Sequence, residues 1–274
     1  MSVGGSREVQ YSTRYIIAFS AAVCIVCALF VAGSAVLLRD RQERNVVLDR
    51  QKNVLDVAGV IKPGEFLTPA EIESRFAASV RPKLINLATG DINTTLDATT
   101  FNQREAARDP ATSRAVPPNP SKVFRVPDQA LIYEVVNDGG DLNAVILPIQ
   151  GYGLWSTLYG YLALDPDMNT IRGITFYEQG ETAGLGGEVE NPRWKAKWPG
   201  RKVFDSQGRI KIAVKKGPAG TPEKDPYQVD GISGATITSR GVTNMLHFWM
   251  GKEAFGPFIE KEKEKEAMPP VAKS

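Results

Sequence analysis

Leu131-Ile132-Tyr133-Glu134-Val135-Val136, a polar turn from Asn137 to Asp141, and the return through Ala144-Val145-Ile146-Leu147-Pro148-Ile149-Gln150 decide the fold class. Apolar, β-branched runs on either side of a short turn predict a β-hairpin. Two more β-rich stretches follow, around Leu158 to Leu164 and Ile171 to Tyr177, and Asp165-Pro166-Asp167-Met168-Asn169 between them has turn composition. Strands at hairpin spacing, with helical segments before and after, predict an α+β fold: an antiparallel sheet with flanking helices.

Downstream, Asp230-Gly231-Ile232-Ser233-Gly234-Ala235-Thr236-Ile237-Thr238-Ser239 is a run of small and hydroxyl residues leading into an amphipathic helix with Val242, Met245, Leu246 and Trp249 on one face. A helix start has unpaired backbone N–H groups and the positive end of the macrodipole, so a phosphate fits there. The residues alone leave two readings open: an anion site, or a helix simply capped by Thr238 or Ser239. Asp230 either positions a threonine hydroxyl or fixes the turn before Gly231. His247, the only histidine, falls away from the apolar stripe and is expected on the solvent side.

Upstream of the hairpin, Thr68-Pro69-Ala70-Glu71 has the pattern of a capping box with proline at the first helical position, and Ile72, Phe76 and Val80 supply a buried face. Thr89 to Ser121 is poor in apolar residues and rich in Thr, Asn, Asp and Pro, the composition of a surface excursion. Lys261-Glu262-Lys263-Glu264-Lys265-Glu266, followed by Pro269-Pro270, reads as a solvated charged tail.

At the other end, Tyr15 to Leu38 contains no charged residue, and about 20 such residues in a helix cross the hydrocarbon core of a bilayer. The run is too long for a secretory signal, whose apolar region is about 7–15 residues, so a retained membrane anchor is expected. Cys24 and Cys27 form a CxxC inside it and read as small apolar filler rather than as a redox pair. A helical continuation from Arg39 to Val60 leads out of the span and stops at Gly59 and Lys62-Pro63-Gly64. The flank after the span carries Arg39, Arg41, Arg44, Arg50 and Lys52 against Arg7 and Arg14 before it, a balance that by the positive-inside count points to a cytoplasmic domain.

Composition excludes several classes of function. With 33 Lys+Arg against 31 Asp+Glu and no basic block interleaved with aromatics, nucleic acid is not an expected partner. Two cysteines and one histidine cannot build a tetrahedral zinc site or a protein-ligated iron-sulfur cluster, so any redox chemistry requires an organic cofactor.

Asp230-Gly231-Ile232-Ser233-Gly234-Ala235-Thr236 resembles the flavinylation motif of the FMN-binding domain family. The resemblance implies FMN held covalently by a phosphoester to Thr236, with Ser233, Gly234, Ala235 and Thr238 around it. Glu181-Thr182-Ala183-Gly184-Leu185-Gly186 is similar to the family's Glu-Thr-Pro-Gly-Leu-Gly loop, with Ala183 where many members have proline. This implies that Glu181, Thr182, Gly184, Leu185 and Gly186 lie against the flavin. Gly151-Tyr152-Gly153-Leu154-Trp155-Ser156 resembles the family's Gly-x-Gly-Leu-Trp segment, where Trp155 borders the isoalloxazine ring or serves as a core aromatic.

The chain as a whole resembles the C-subunit family of sodium-translocating NADH:quinone oxidoreductases, over the span, Gln51-Lys52-Asn53-Val54-Leu55 and the domain from about Leu131 to Ile259. That implies a cytoplasmic N-terminus (1–14), a transmembrane helix (15–38), a helical connector with a polar excursion (39–130), a periplasmic FMN-binding domain (131–259) and a charged tail (260–274) in a bacterial inner membrane. It further implies five other subunits, a flavin transferase for maturation, and a relay of single electrons from an intramembrane iron-sulfur centre to a second covalent FMN on a neighbouring subunit, with quinone reduction coupled to sodium export. The flavin-bearing G-subunit family of the Rnf ferredoxin:NAD oxidoreductases is also similar, but the extra region between Gly59 and Leu131 and the Gly153-Leu154-Trp155 segment resemble the C-subunit family more. A membrane-anchored module gripping a phosphorylated ligand reversibly is the reading outside redox chemistry.

Overall fold

The structure is a computed structural model and describes residues 12–62 and 64–267. The flank containing Arg7, together with Pro63 and the Pro269-Pro270 end of the predicted tail, lies outside them. The described residues form two compact units that divide between Asp49 and Arg50.

The first unit is most of helix α1, Thr13–Val57. Among the described residues it is the one helix long and apolar enough to cross a membrane. At about 1.5 Å per residue the predicted span extends some 36 Å, enough for a hydrocarbon core of about 30 Å. Cys24 and Cys27 are free thiols on the exposed surface of this apolar part.

The second unit begins with the last residues of α1, where Val54, Leu55 and Val57 are buried. Helix α2, Pro69–Ser79, starts as the sequence predicts: Thr68 Oγ1 accepts from Glu71 N, and the Glu71 carboxylate accepts from Thr68 N at 2.7 Å. Val80, expected on the buried face of this helix, is instead the first residue of β1, Val80–Asn86, and is buried there. Pro82 hides this strand from a sequence reading because proline weakens a strand assignment. It is tolerated because β2, Ile92–Asn93, pairs only with Leu84 and Ile85 and leaves that part of β1 an open edge.

The excursion is more structured than its composition predicts: α3 (Gln103–Arg108), β3 (Ser113–Ala115) and β4 (Arg125–Pro127) lie in or beside it. Polar side chains dock it. Gln103 Oε1 accepts from Leu131 N at 2.8 Å, and the Arg104 guanidinium stacks 3.6 Å over the Tyr159 ring while pairing with Glu178. Docking of this kind has no hydrophobic periodicity to announce it.

Strands β5 (Gln129–Val136), β6 (Leu142–Tyr152), β7 (Thr157–Leu164) and β8 (Ile171–Glu178) are the predicted hairpin and its two successors. They complete a six-stranded antiparallel sheet of order β2-β1-β5-β6-β7-β8, so the sheet starts well before the 131–259 segment. Both faces are covered, and the strands are therefore buried almost continuously instead of alternating cleanly. One face, with Ile132, Val145, Leu147 and Leu162, packs into the main core with Val242, Met245, Leu246 and Trp249. The other carries Tyr133 against Phe76 and Tyr161, and Gly173 lets Val57 of α1 approach closely.

After β8 come a 3-10 turn (Gly186–Glu190), α4 (Pro192–Lys195), the small parallel pair β9 (Ala213–Val214) and β10 (Gln228–Val229), then α5 (Thr236–Trp249) and α6 (Gly256–Ala267). The run expected to be a solvated tail is therefore helical to Ala267. Phe258 and Ile259 are buried, Lys261 pairs with Asp91, and Lys263 lies over the Phe204 ring, so its alternating charges form the outer turns of an anchored helix.

Helix α5 crosses β6 at Gly241, where an added Cβ would lie 2.5 Å from the Tyr152 carbonyl oxygen. Helix propensity alone makes Gly241→Ala stabilising by up to about 1 kcal/mol. Backbone has nowhere to give, so overpacking should win, with a loss of about 1–3 kcal/mol. Thermal melting should show the midpoint lowered by roughly 2–4 °C per kcal/mol; a rise would mean that α5 is not held at this distance.

Candidate functional site

Three segments far apart in the sequence meet at one carboxylate. Glu181 is buried at 8% exposure, and its oxygens accept from the backbone N–H groups of Leu154 (3.0 Å), Trp155 (2.9 Å) and Ser156 (3.3 Å) in the β6–β7 turn. Thr238, in the first turn of α5, donates its hydroxyl to the same group at 2.6 Å. Gly186 closes around it: a Cβ there would lie 2.6 Å from Thr238 Oγ1 and 2.7 Å from Glu181 Oε2. Burial by itself pushes the Glu181 carboxyl up. The bonds from Thr238, Trp155, Leu154 and Ser156 outweigh that and hold it below the ordinary carboxylate range.

This arrangement leaves the start of α5 open. Thr238 is spent on Glu181, and Ser239 Oγ accepts from Ile232 N at 3.2 Å, so neither caps the helix as the simpler reading expected. Ala235 occupies the N-cap position, with no side-chain cap, and is buried. Thr236 is the first helical residue and is exposed, as are Ser233 and Gly234. Helix dipole and uncapped N–H groups thus face outward beside a free hydroxyl, which suits a phosphate.

Two kinds of surface flank that hydroxyl. A groove of about 730 Å³ is lined by Lys215, Lys216, Arg240, Asp230, Ser233 and Thr236. Arg240 follows Thr236 by four residues and shares its helix face. The same converging segments also expose an apolar rim: Trp155 is 66% exposed and Ile237 54%, with Leu154 and Leu185 also open to solvent. Leu185 reaches within 2.8 Å of where a Gly234 Cβ would stand. Exposed apolar groups gathered like this mark a place where something binds, and a planar ring system with an anionic end matches both surfaces.

The remaining expectations divide. Thr182 and Gly184 are exposed in the loop, where the Thr182 carbonyl accepts from Leu185 and Gly187 N–H groups and shapes the turn. Asp230 fixes the turn: it pairs with Lys197, accepts from Ala219 N at 2.9 Å, and its carbonyl accepts from Trp194 Nε1. Burial pushes its carboxyl up, but the Lys197 and Ala219 bonds keep it lowered. His247 is exposed, as expected, with Nε2 at 2.8 Å from the Ile212 carbonyl. Sequence reasoning missed Lys215 and Lys216, which only the fold brings to the helix start. Arg240 was within reach, because helical spacing alone puts it on the face of Thr236.

The fold and site define an FMN-binding domain: that family matches residues 153–251, a stretch containing all three segments that converge on Glu181. The C subunit of the Na(+)-translocating NADH-quinone reductase of Yersinia pestis is 45% identical over 88% of this chain and 90% of its own, and that of Pseudomonas aeruginosa 42% over 94% and 99%. The crystal structure of Shewanella oneidensis NqrC superposes with a TM-score of 0.73 at 38% identity, covering 82% of this chain and 99% of that one. The chain belongs to the C-subunit family of the Na(+)-translocating NADH-quinone reductase, an oxidoreductase complex.

The Glu181 junction has a pH signature. A carboxylate whose folded value is depressed contributes stability that is complete above its unfolded value, near 4.5, and lost as pH falls through the lower folded value. Glu181→Ala should cost about 2–3 kcal/mol at neutral pH, with buried donors left unpaired. Urea unfolding at several pH values should show the gap to wild type shrinking below about pH 4; a gap that stayed unchanged through that acid range would mean that the charge contributes nothing.

Proposed function

We propose that Thr236 carries FMN through a phosphoester, and that the chain relays electrons from NADH toward quinone within a complex that couples the transfer to sodium export. One observation carries the attachment: the Thr236 hydroxyl is exposed at an uncapped helix start, between a cationic groove and an apolar rim. Bound FMN supplies one-electron carriage, chemistry that no side chain here provides. The uncapped N–H groups of α5 would hold the phosphoryl end, with Lys216 and Arg240 balancing its charge. Trp155, Leu154, Leu185 and Ile237 would supply apolar surface to the ring system and exclude water there. Glu181 acts indirectly, fixing the turn that presents Trp155 to the helix that presents Thr236.

The same reading assigns α1 as the anchor in a bacterial inner membrane and places the flavin domain in the periplasm, where the flavin transferase acts. Flank charge alone opposes this. The arginines after the span are interleaved with Asp40, Glu43 and Asp49, and Arg39 is paired with Glu43 at 2.9 Å. Long folded domains also translocate largely regardless of nearby charge. Protease added to intact spheroplasts should remove the domain; protection, with a known periplasmic marker cut in the same sample, would reverse the assignment.

Thr236→Ala tests the attachment. Because Thr236 is exposed and caps nothing, its loss should change stability by no more than about 0.5 kcal/mol. The variant should fold and co-purify with its partners, lack the mass increment of one FMN less one water, and abolish quinone-dependent NADH oxidation. An increment that survived would move the attachment elsewhere, and wild-type turnover without flavin would end the electron-carrier reading.

A further inference from the structure

A second groove, of about 290 Å³, lies on the sheet beside the β6–β7 turn and shares no lining residue with the groove at Thr236. Its lining includes Arg104, Arg108, Lys122 and Arg125 and not one carboxylate. The whole chain has a net charge of only +2, so four cations in one groove are a local concentration and not general basicity. Among the described residues, Arg104 alone of the four has an acidic partner, Glu178; Arg125 is held by Ser113 Oγ and the Ser113 carbonyl, and Lys122 rests 4.0 Å over the Tyr152 ring.

The loop presenting Lys122 is built at a cost. Lys122 has φ +54, a conformation that L side chains rarely adopt. Asn119 enforces it: its carbonyl accepts from Lys122 N, and its side chain bonds to Val123 N and O. Two residues on, Phe124 is 75% exposed. An apolar side chain standing in solvent in a groove lined by four cations is the arrangement of an interface anchor with a charged rim. The Tyr152 hydroxyl donates to the Trp155 carbonyl at 3.2 Å, so one wall of the groove is tied to the turn that carries Trp155.

We infer that this groove docks an acidic segment of another subunit, with Phe124 as its apolar anchor and Arg108, Lys122 and Arg125 pairing with its carboxylates. The inference rests on membership of a multisubunit complex. Docking here would set a partner beside Trp155 and give electron transfer a fixed short approach.

The test uses the full chain purified within its complex and washed at rising salt, comparing wild type with Phe124→Ser and with Lys122→Gly plus Arg108→Glu. Glycine accepts the positive φ at 122 without strain, so that change removes the cation while sparing the loop. Expected are unchanged melting and unchanged covalent flavin fluorescence, with retention in the complex at physiological salt lowered about tenfold in the charge variant. In wild type, a carbodiimide should join Lys122 Nζ to a carboxylate of another subunit: an amide forms, and the reagent leaves as its urea. Wild-type retention by both variants, or a Lys122 cross-link confined to this chain, would overturn the inference. So would loss of bound phospholipid from the variants in place of a protein partner, which would give the groove to a lipid headgroup. Failure of the wild-type chain to purify with any partner would instead bring down the membership reading.

Discussion

A buried carboxylate that accepts from three consecutive backbone N–H groups and one hydroxyl organises this domain. The Glu181 oxygens are the common acceptors for Leu154, Trp155, Ser156 and Thr238, which come from the turn between two strands and from the start of a helix. Charge-assisted hydrogen bonds of this kind are about twice as strong as neutral ones, and they tolerate little displacement. Their side effects matter as much as their strength. Thr238 cannot cap α5 while it serves Glu181, and the Trp155 backbone is drawn inward while its ring is left outside. An open helix start and an exposed aromatic follow from the same contact.

The rest of the sheet makes that junction rigid. Helix α5 is pressed onto β6, with Trp249 Nε1 donating to the Gln150 carbonyl at 2.6 Å and Gly241 against the Tyr152 carbonyl. Its first residue therefore cannot slide. On the opposite face burial raises the Tyr133 hydroxyl to about 12 and pushes Tyr161 up as well, so both remain neutral dipoles in the packing, with Arg50 and their mutual hydrogen bond as partners. Electrostatics are consequently left to the edges. Lys215, Lys216 and Arg240 gather at the helix start, where Asp230 is already occupied by Lys197, and a second cationic groove lies beyond the apolar rim.

Much of this was legible in the chain. The hairpin from Leu131 to Gln150 and the two strands after it appear where apolar runs and turn residues place them. Thr68, Pro69 and Glu71 begin a helix as a capping box should, because that motif is entirely local. Misses occurred where distant partners override local preference. Val80 leaves the helical stripe because β5 offers it a full ladder, and the excursion around Gln103 and Arg104 is docked by polar side chains. The charged run after Glu260 is helical because Phe258 and Ile259 anchor its first turns in the core.

Periodicity and motif order in the sequence by itself determined the apolar span, the antiparallel sheet, the amphipathic helix and the chemistry available at its start, a threonine hydroxyl among small residues. These are properties of neighbours within a few residues, where sterics and hydrophobic alternation act directly. Only the tertiary structure decided that Thr238 and Ser239 are engaged elsewhere, that Thr236 stays free, that Lys215 and Lys216 stand beside it and that Glu181 holds the parts in register. The physical reason is that a hydrogen bond or an ion pair depends on distance in space, and the sequence separation of 57 from Glu181 to Thr238 carries no local pattern from which their contact could be read.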